Sequence, residues 1–282
     1  MPLDDIRSWI GRTQTEEDFV APWPVRGLAA TLDEGDPDPG LGDPLPPLWH
    51  WLYFLEAARA SKIGADGHPK RGDFLPPVPL PRRMWAGSRF SFDGEPLRIG
   101  DDIRRRSTIK SVEAKSGSTG DMVFVTVQHL ISGPRGVAVI EDHDIVYREA
   151  AKAGEQPRPA KPAPTDATWS KRVLPDEVML FRYSALTFNG HRIHYDQPYV
   201  TGTEGYPGLI VHGPLMGLLQ IELARRARPD GIASSFEFRA LSPAFGGSPL
   251  AVGARQEADG AVTTWIANAQ GGLAQQGKAT FR

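Results

Sequence analysis

The sequence predicts an α+β protein made of two copies of one motif, an antiparallel sheet wrapped around a buried helix. Three observations predict it. Two stretches, 47–60 and 213–228, are apolar on nearly every face, as a helix enclosed by other structure must be. Each is followed by a series of strand-like runs divided by glycine-bearing turns. Between the two series lies EAAKAGEQPRPAKPAPTDATW, residues 149–169, rich in Ala, Pro and charge and without hydrophobic period. The division expected is therefore 1–148, a linker over 149–168, and 169–282.

In the first half, PLWHWLYFLEAARA (47–60) is the expected buried helix, with Trp49, Trp51, Tyr53 and Phe54 as core. Strands are expected at 84–92, 101–115, 121–132 and 136–149, punctuated by Asp93-Gly94, Gly117 with Gly120, and Gly133-Pro134. MVFVTVQHLIS alternates as a half-buried strand does. The run Arg104-Arg105-Arg106 reads as an exposed or edge-strand face. In the second half, LFRYSALTF is strand-like. GPLMGLLQIELARRAR (213–228) is a helix with Pro214 in its first turn, where a missing N–H costs nothing. Strands follow at 233–241, 249–256, 261–270 and 273–281. Two such sheets could pair edge to edge and protect their edge strands.

Composition narrows the function. The net charge of −2 favours neither nucleic acid nor an anionic membrane. The absence of cysteine rules out disulfides, thiolate catalysis and Cys-ligated zinc. MPLDDIRSWIGRTQTEEDF lacks the basic start and apolar run of a signal peptide, and Leu209–Ala224 is too short and too polar to span a bilayer. A cytoplasmic protein is the expectation.

The chemistry-bearing segment is FNGHRIHYD (188–196), followed by GLIVHGPLM at the start of the second helix. His191, His194 and Asp196 could be written as metal ligands. Their spacing is not that of two histidines on one helical face, and no second acidic cluster completes a site, so no metal is expected. A histidine on a loop beside a helix start offers something else. His194 can move a proton near neutral pH, and the first N–H of the helix, at Gly213, can polarise a carbonyl. That pair suits addition or loss of water beside a thioester.

LTFNGHRIHYD with YPGLIVHGPLMGLL resembles the MaoC-like (hydratase 2) enoyl-thioester hydratases, whose D-x-N-P-x-H pattern is followed by an H-G that opens the central helix. GEPLRIGDDIRRRSTI (94–109) looks like the family's strand entry. The resemblance covers about residues 165–282; the first half resembles the degenerate dehydratase domain fused to it in two-domain members. It implies a double hot-dog fold and the subgroup that includes mesaconyl-CoA and itaconyl-CoA hydratases and 3-hydroxyacyl-thioester dehydratases. By the same resemblance His194 takes the place of the catalytic histidine and Asn189 that of the catalytic aspartate. Gly213 falls where a backbone N–H polarises the thioester. An amide can hold a water but cannot take its proton, so Asn189 becomes a water-positioning group.

Around these, Arg192 could meet a substrate carboxylate or a CoA phosphate, or lie in solvent. His191 could orient the loop, His212 could pack at the helix start, and Tyr183 could line the pocket. Arg82-Arg83 could bind CoA phosphates or be solvated. His50, His68, His129 and His143 show no partner pattern. The expected activity is reversible hydration of a 2-enoyl-CoA without metal or redox cofactor, with CoA thioester as substrate and homodimerisation left open. The alternatives are a hot-dog thioesterase, for which Asp196 is the nearby acid, and a non-catalytic acyl-thioester binder.

Overall fold

A computed structural model describes residues 3–33, 39–70, 74–117, 120–149 and 159–282. The chain begins with α1 (Leu3–Arg7), β1 (Thr13–Phe19) and α2 (Pro22–Leu32), then makes short 3-10 turns at Trp49–Leu52 and Ala60–Lys62. Four long strands follow: β2 (Arg82–Ser91), β3 (Asp102–Gly117), β4 (Gly120–Gly133) and β5 (Gly136–Arg148). The second half opens with β6 (Trp169–Val173), α3 (Glu177–Leu186), α4 (Gln197–Gly202) and α5 (Gly213–Ala227). It closes with β7 (Ala233–Ala240), β8 (Leu250–Gln256), β9 (Val262–Ala267) and β10 (Leu273–Phe281). Of the segment read as a linker, residues 150–158 lie outside the described residues.

All ten strands form one sheet in the order β1-β3-β4-β5-β2-β7-β10-β9-β8-β6. Each half fills one side, and the halves meet where β2 pairs antiparallel with β7, from Gly87 opposite Arg239 to Ser91 opposite Ser235. The edge-to-edge pairing expected of a double hot dog is thus a continuous hydrogen-bonded seam, which removes two open edges.

α5 lies against β7 to β10, and Leu215, Met216, Leu218, Leu219, Ile221 and Ala224 are all buried. Its two buried polar side chains are both bonded. Thr264 Oγ1 donates to Gln220 Oε1 at 2.9 Å, and Gln220 Nε2 donates to Gln275 Oε1 at 2.6 Å. Gln275 Nε2 in turn donates to the Gly213 carbonyl at 3.1 Å, so this chain pins the first turn of α5 to the sheet. Glu222 accepts from Trp49 Nε1 at 2.9 Å, a contact between residues 173 apart, and also pairs with Arg225.

Three local expectations change. Residues 47–60 are not a helix: only Trp49–Leu52 turns, and Leu48 (φ 69°) and Phe54 (φ 57°) stand in the left-handed region on either side. The aromatic side chains Trp49, Tyr53 and Phe54 are buried in the core as expected. LFRYSALTF is mostly helix, the body of α3, capped by Asp176, whose side chain accepts from the Met179 N–H at 2.8 Å. TQTEEDF, polar but for Phe19, forms β1, and β3 is therefore interior, between β1 and β4. Arg104 and Arg105 there pair with Glu17 and Glu16 across the strands. No helix among the described residues is long and apolar enough to cross a membrane.

Candidate active site

α3 ends at Thr187, and Phe188, with φ 48°, reverses the chain. Asn189 then closes a local turn: its N–H donates to the Ser184 carbonyl at 2.8 Å, and its Oδ1 accepts from the His191 N–H at 3.0 Å. One turn of 3-10 helix, Arg192–His194, leads to Asp196, which caps α4 by accepting from the Tyr199 N–H at 3.0 Å.

This brings His194 inside, at 6% exposure. Its Nδ1 lies 2.7 Å from the Ile210 carbonyl. A carbonyl only accepts, so Nδ1 carries the proton and Nε2 keeps its lone pair. Ile210 N–H donates back to the Ile193 carbonyl at 2.9 Å, so the loop and the segment leading to α5 hold each other. The His194 ring stacks on His212, centroids 3.7 Å apart and 18° from parallel. His212 is the N-cap of α5, so the residue after it is Gly213. Gly213 opens the helix, where its N–H has no intrahelical acceptor, and Pro214 beside it has no N–H at all. The structure thus brings His194, His212, Gly213 and Asn189 into one neighbourhood.

Burial sets the charge of this cluster. It pushes His194 down to about 4 and outweighs the Ile210 carbonyl, which acts the other way; nearby His68 lowers it further. His191 is pushed to about 2 by burial, then by His68, His194 and Arg83. His212 falls well below the usual imidazole range, through burial and then His194 and His191. All three are neutral at pH 7.

His212 Nε2 is 2.8 Å from Ser184 Oγ, while its Nδ1 has no partner among the described residues. Tyr183 packs edge-on against His212 with centroids 5.0 Å apart. Its hydroxyl is buried without a partner among the described residues, and burial raises its pKa. Tyr183 is therefore wall behind the histidines.

Arg192 is fully engaged. Its guanidinium pairs with Asp196 through Nε at 2.9 Å and Nη2 at 2.8 Å, donates from Nη1 to the Ala65 carbonyl at 3.0 Å, and lies 4.0 Å over the Tyr199 ring. It clamps the loop.

The first half completes the site through a loop the sequence did not mark. Arg192 N–H donates to the Asp66 carbonyl at 2.8 Å, and the His68 ring lies on His191, centroids 3.9 Å apart. Gly67 sits at φ 87° with its α-carbon against Gly190; a Cβ there would stand 1.9 Å from the Gly190 carbonyl oxygen. Only glycine fits. Asp66, His68 and His191 place three ligand-type atoms within 4.8 Å of one another, the one such group among the described residues and a different set from His191, His194 and Asp196. Nothing in the local sequence pairs His68 with His191. The remaining histidines surround a buried acid: His50 Nε2 is 3.4 Å from Glu141, and His143 Nδ1 is 3.7 Å from it.

The sequence matches the family Hydroxyacyl-thioester dehydratase type 2 across residues 48–246. It is 46% identical to the Mesaconyl-C(4)-CoA hydratase of Chloroflexus aurantiacus, over 92% of each chain. It is 28% identical to the mitochondrial Hydroxyacyl-thioester dehydratase type 2 of Schizosaccharomyces pombe, over 84% of this chain and 88% of that one. A solved Mycobacterium tuberculosis structure described as a double hotdog fold superposes with a TM-score of 0.58 at 13% identity, covering 99% of this chain and 98% of that one. Matched over residues 48–246, and carrying the ten-stranded sheet described above, the chain belongs to the type 2 hydroxyacyl-thioester dehydratase family.

Proposed function

We propose that the chain is a hydro-lyase that reversibly adds water to a 2-enoyl-CoA, giving the 3-hydroxyacyl-CoA, with mesaconyl-C4-CoA as its substrate. The observation that carries this is the lock on His194: Nδ1–H is committed to Ile210, the ring is stacked on His212, and the free Nε2 lies beside the start of α5. The substrate comes from the relative that is 46% identical across nearly the whole chain.

The residues divide the work. The thioester carbonyl docks at the Gly213 N–H, where the helix end favours the negative charge that develops on oxygen as the enolate forms. His194 Nε2 accepts a proton from the water as its oxygen bonds to Cβ. That proton is then available to Cα, so one water is added overall and no other reactant is consumed. In reverse, the same nitrogen removes the Cα proton and the β-hydroxyl leaves as water. Asn189 holds the water; its Oδ1 is already oriented by the His191 N–H. His191 and Tyr183 shape the acyl pocket, and His212 supports His194. We read 1–148 and 169–282 as two hot-dog units, the second carrying the chemistry and the first closing the pocket. A hydrolytic reading loses its acid, because Asp196 is spent on capping α4 and on Arg192.

The test is hydration of mesaconyl-, itaconyl-, crotonyl- and longer 2-enoyl-CoAs by wild type and His194→Ala, followed by loss of enoyl absorbance and gain of one water in mass. The expected result is turnover of mesaconyl-C4-CoA that drops by about 100-fold or more in the variant, the scale of a lost general base. Full activity in His194→Ala removes it from the mechanism. Release of free CoA in place of water gain establishes a thioesterase.

A further inference from the structure

A substrate that carries a free carboxylate needs a cation at the acyl end of the pocket, and the cation next to His194 in sequence is already used. Arg192 spends its donors on Asp196 and Ala65. A different arginine stands open. Arg83, on β2, is half-buried, and its side chain has no hydrogen bond or ion pair among the described residues. Half-burying a guanidinium without a counterion is costly, and an anion arriving there recovers that cost.

The register shows which way Arg83 faces. It lies directly opposite Tyr147 on β5, and Trp85 lies opposite Ile145. Residues two apart on a strand share a face, so Arg83 and Trp85 point the same way as His143 and the buried Tyr147. The Trp85 ring stacks on His143 at 4.2 Å, which confirms the face. Residues 82–85 lie beyond the part of β2 that pairs with β7, where the seam opens toward the second half. There Arg82, which alternation turns to the other face, donates from Nη2 to the hydroxyl of Tyr206, on the segment that runs into His212, so this end of β2 reaches the second half. Arg83 also adds its positive field to His68 and His191, the stacked pair beside His194. That field makes the same corner a poor place for a cation and a good one for an anion.

Resting on the hydratase reading above, we infer that Arg83 is the specificity-determining cation of the site, contributed by the first half, and that it holds the carboxylate borne on Cβ of a dicarboxylyl-CoA. The phosphates of CoA lie at the far end of the pantetheine arm from the thioester. The field of Arg83 instead reaches His68 and His191, the stacked pair in the histidine cluster, so the acyl carboxylate is the anion assigned to it. A guanidinium fork matches a carboxylate with two parallel N–H bonds, which fixes Cβ relative to the attacking water as well as binding it.

The test compares substrates that carry or lack this charge. Mesaconyl-C4-CoA has a carboxylate on Cβ, whereas crotonyl-CoA has only a methyl there. In Arg83→Met, kcat/KM for mesaconyl-C4-CoA is expected to fall about 100-fold, as for a lost charge-assisted pair, with crotonyl-CoA within about threefold of wild type. Arg83→Lys, which keeps the charge and loses the fork, falls between. Succinyl-CoA and butyryl-CoA, which differ only by carboxylate against methyl on Cβ, serve as non-reacting inhibitors. Wild type prefers succinyl-CoA and Arg83→Met does not. An equal loss on all four thioesters assigns Arg83 to CoA or to the fold and overturns the inference. So does an unchanged preference. If wild type hydrates neither enoyl-CoA, the hydratase reading fails, and the inhibitor pair still reports separately on Arg83.

Discussion

Acidifying the protein from pH 7 to pH 5 should strip stability through His194 before it strips activity through loss of a base. In the unfolded chain this histidine takes its proton at the ordinary value of 6.5, but in the fold it is held at about 4. The group's folded pKa is depressed, so between those two values the unfolded state binds more protons and stability falls as pH falls. Above 6.5 neither state is charged and the penalty vanishes. At pH 5 the mismatch spans the interval from 6.5 down to 5, which at about 1.4 kcal/mol per unit is about 2 kcal/mol from this one residue. His194 is only 6% exposed, so solvent screening takes little from that figure. His212, stacked on it and fully buried, acts in the same direction. The assay is urea unfolding at pH 7 and pH 5, at matched ionic strength, for wild type and His194→Gln. The variant should lose about 2 kcal/mol less than wild type on acidification, because it has no proton to gain at that site. Identical losses in the two proteins would refute the claim that burial holds this ring neutral. In the range where the enzyme stays folded, kcat/KM should be flat from pH 8 to pH 5, whereas a base of ordinary pKa would lose about 30-fold.

The other predictions concern parts that hold the site together. Gly67→Ala drives a methyl into the Gly190 carbonyl at a left-handed φ; it should cut kcat/KM more than about tenfold while the far-ultraviolet spectrum is unchanged. Gln275→Leu takes away the acceptor of one Gln220 N–H and the side-chain donor to the Gly213 carbonyl, both in the core; denaturant titration should show a loss of about 1–3 kcal/mol. Tyr183→Phe removes a buried hydroxyl with no partner among the described residues, so its unfolding free energy should match wild type or exceed it by about 1 kcal/mol. A clear drop in that variant would mean the hydroxyl is bonded in solution.

What could be read from the sequence was whatever local pattern decides. Eight strands follow from alternation and glycine turns, and α5 follows from Pro214 and an apolar run that a sheet must cover. The His194–His212 stack at the start of α5 joins two segments, 188–196 and 208–216, that the sequence had already marked together by resemblance. Elements settled by distant partners were not. β1 is polar except for its last residue, Phe19, and the arginines of β3 explain why it pairs. α3 exposes Val178 and Phe181, which blurs its apolar face, although Pro175-Asp176-Glu177 was a usable start signal. The aromatic run at 47–60 looked helical because its core contacts come from all sides, yet left-handed residues stop it after one turn. The pair Arg82-Arg83 stood out only as a basic pair after a proline run, and His68 showed no partner at all, because what gives His68 and Arg83 meaning lies more than a hundred residues away along the chain.

The clamp between the first half and the catalytic loop also bears on when the chemistry can begin. The bond from Arg192 to the Ala65 carbonyl closes 127 residues of chain, that from Arg82 to Tyr206 closes 124, and that from Trp49 to Glu222 closes 173. Contacts of such separation forfeit chain entropy long before they return energy, so they form late in folding. A nascent second half can carry His194 and the start of α5 and still lack the loop that steadies them and the arginine that selects an acyl group. Competence in this protein is therefore a property of the finished topology, in which the two halves are in register.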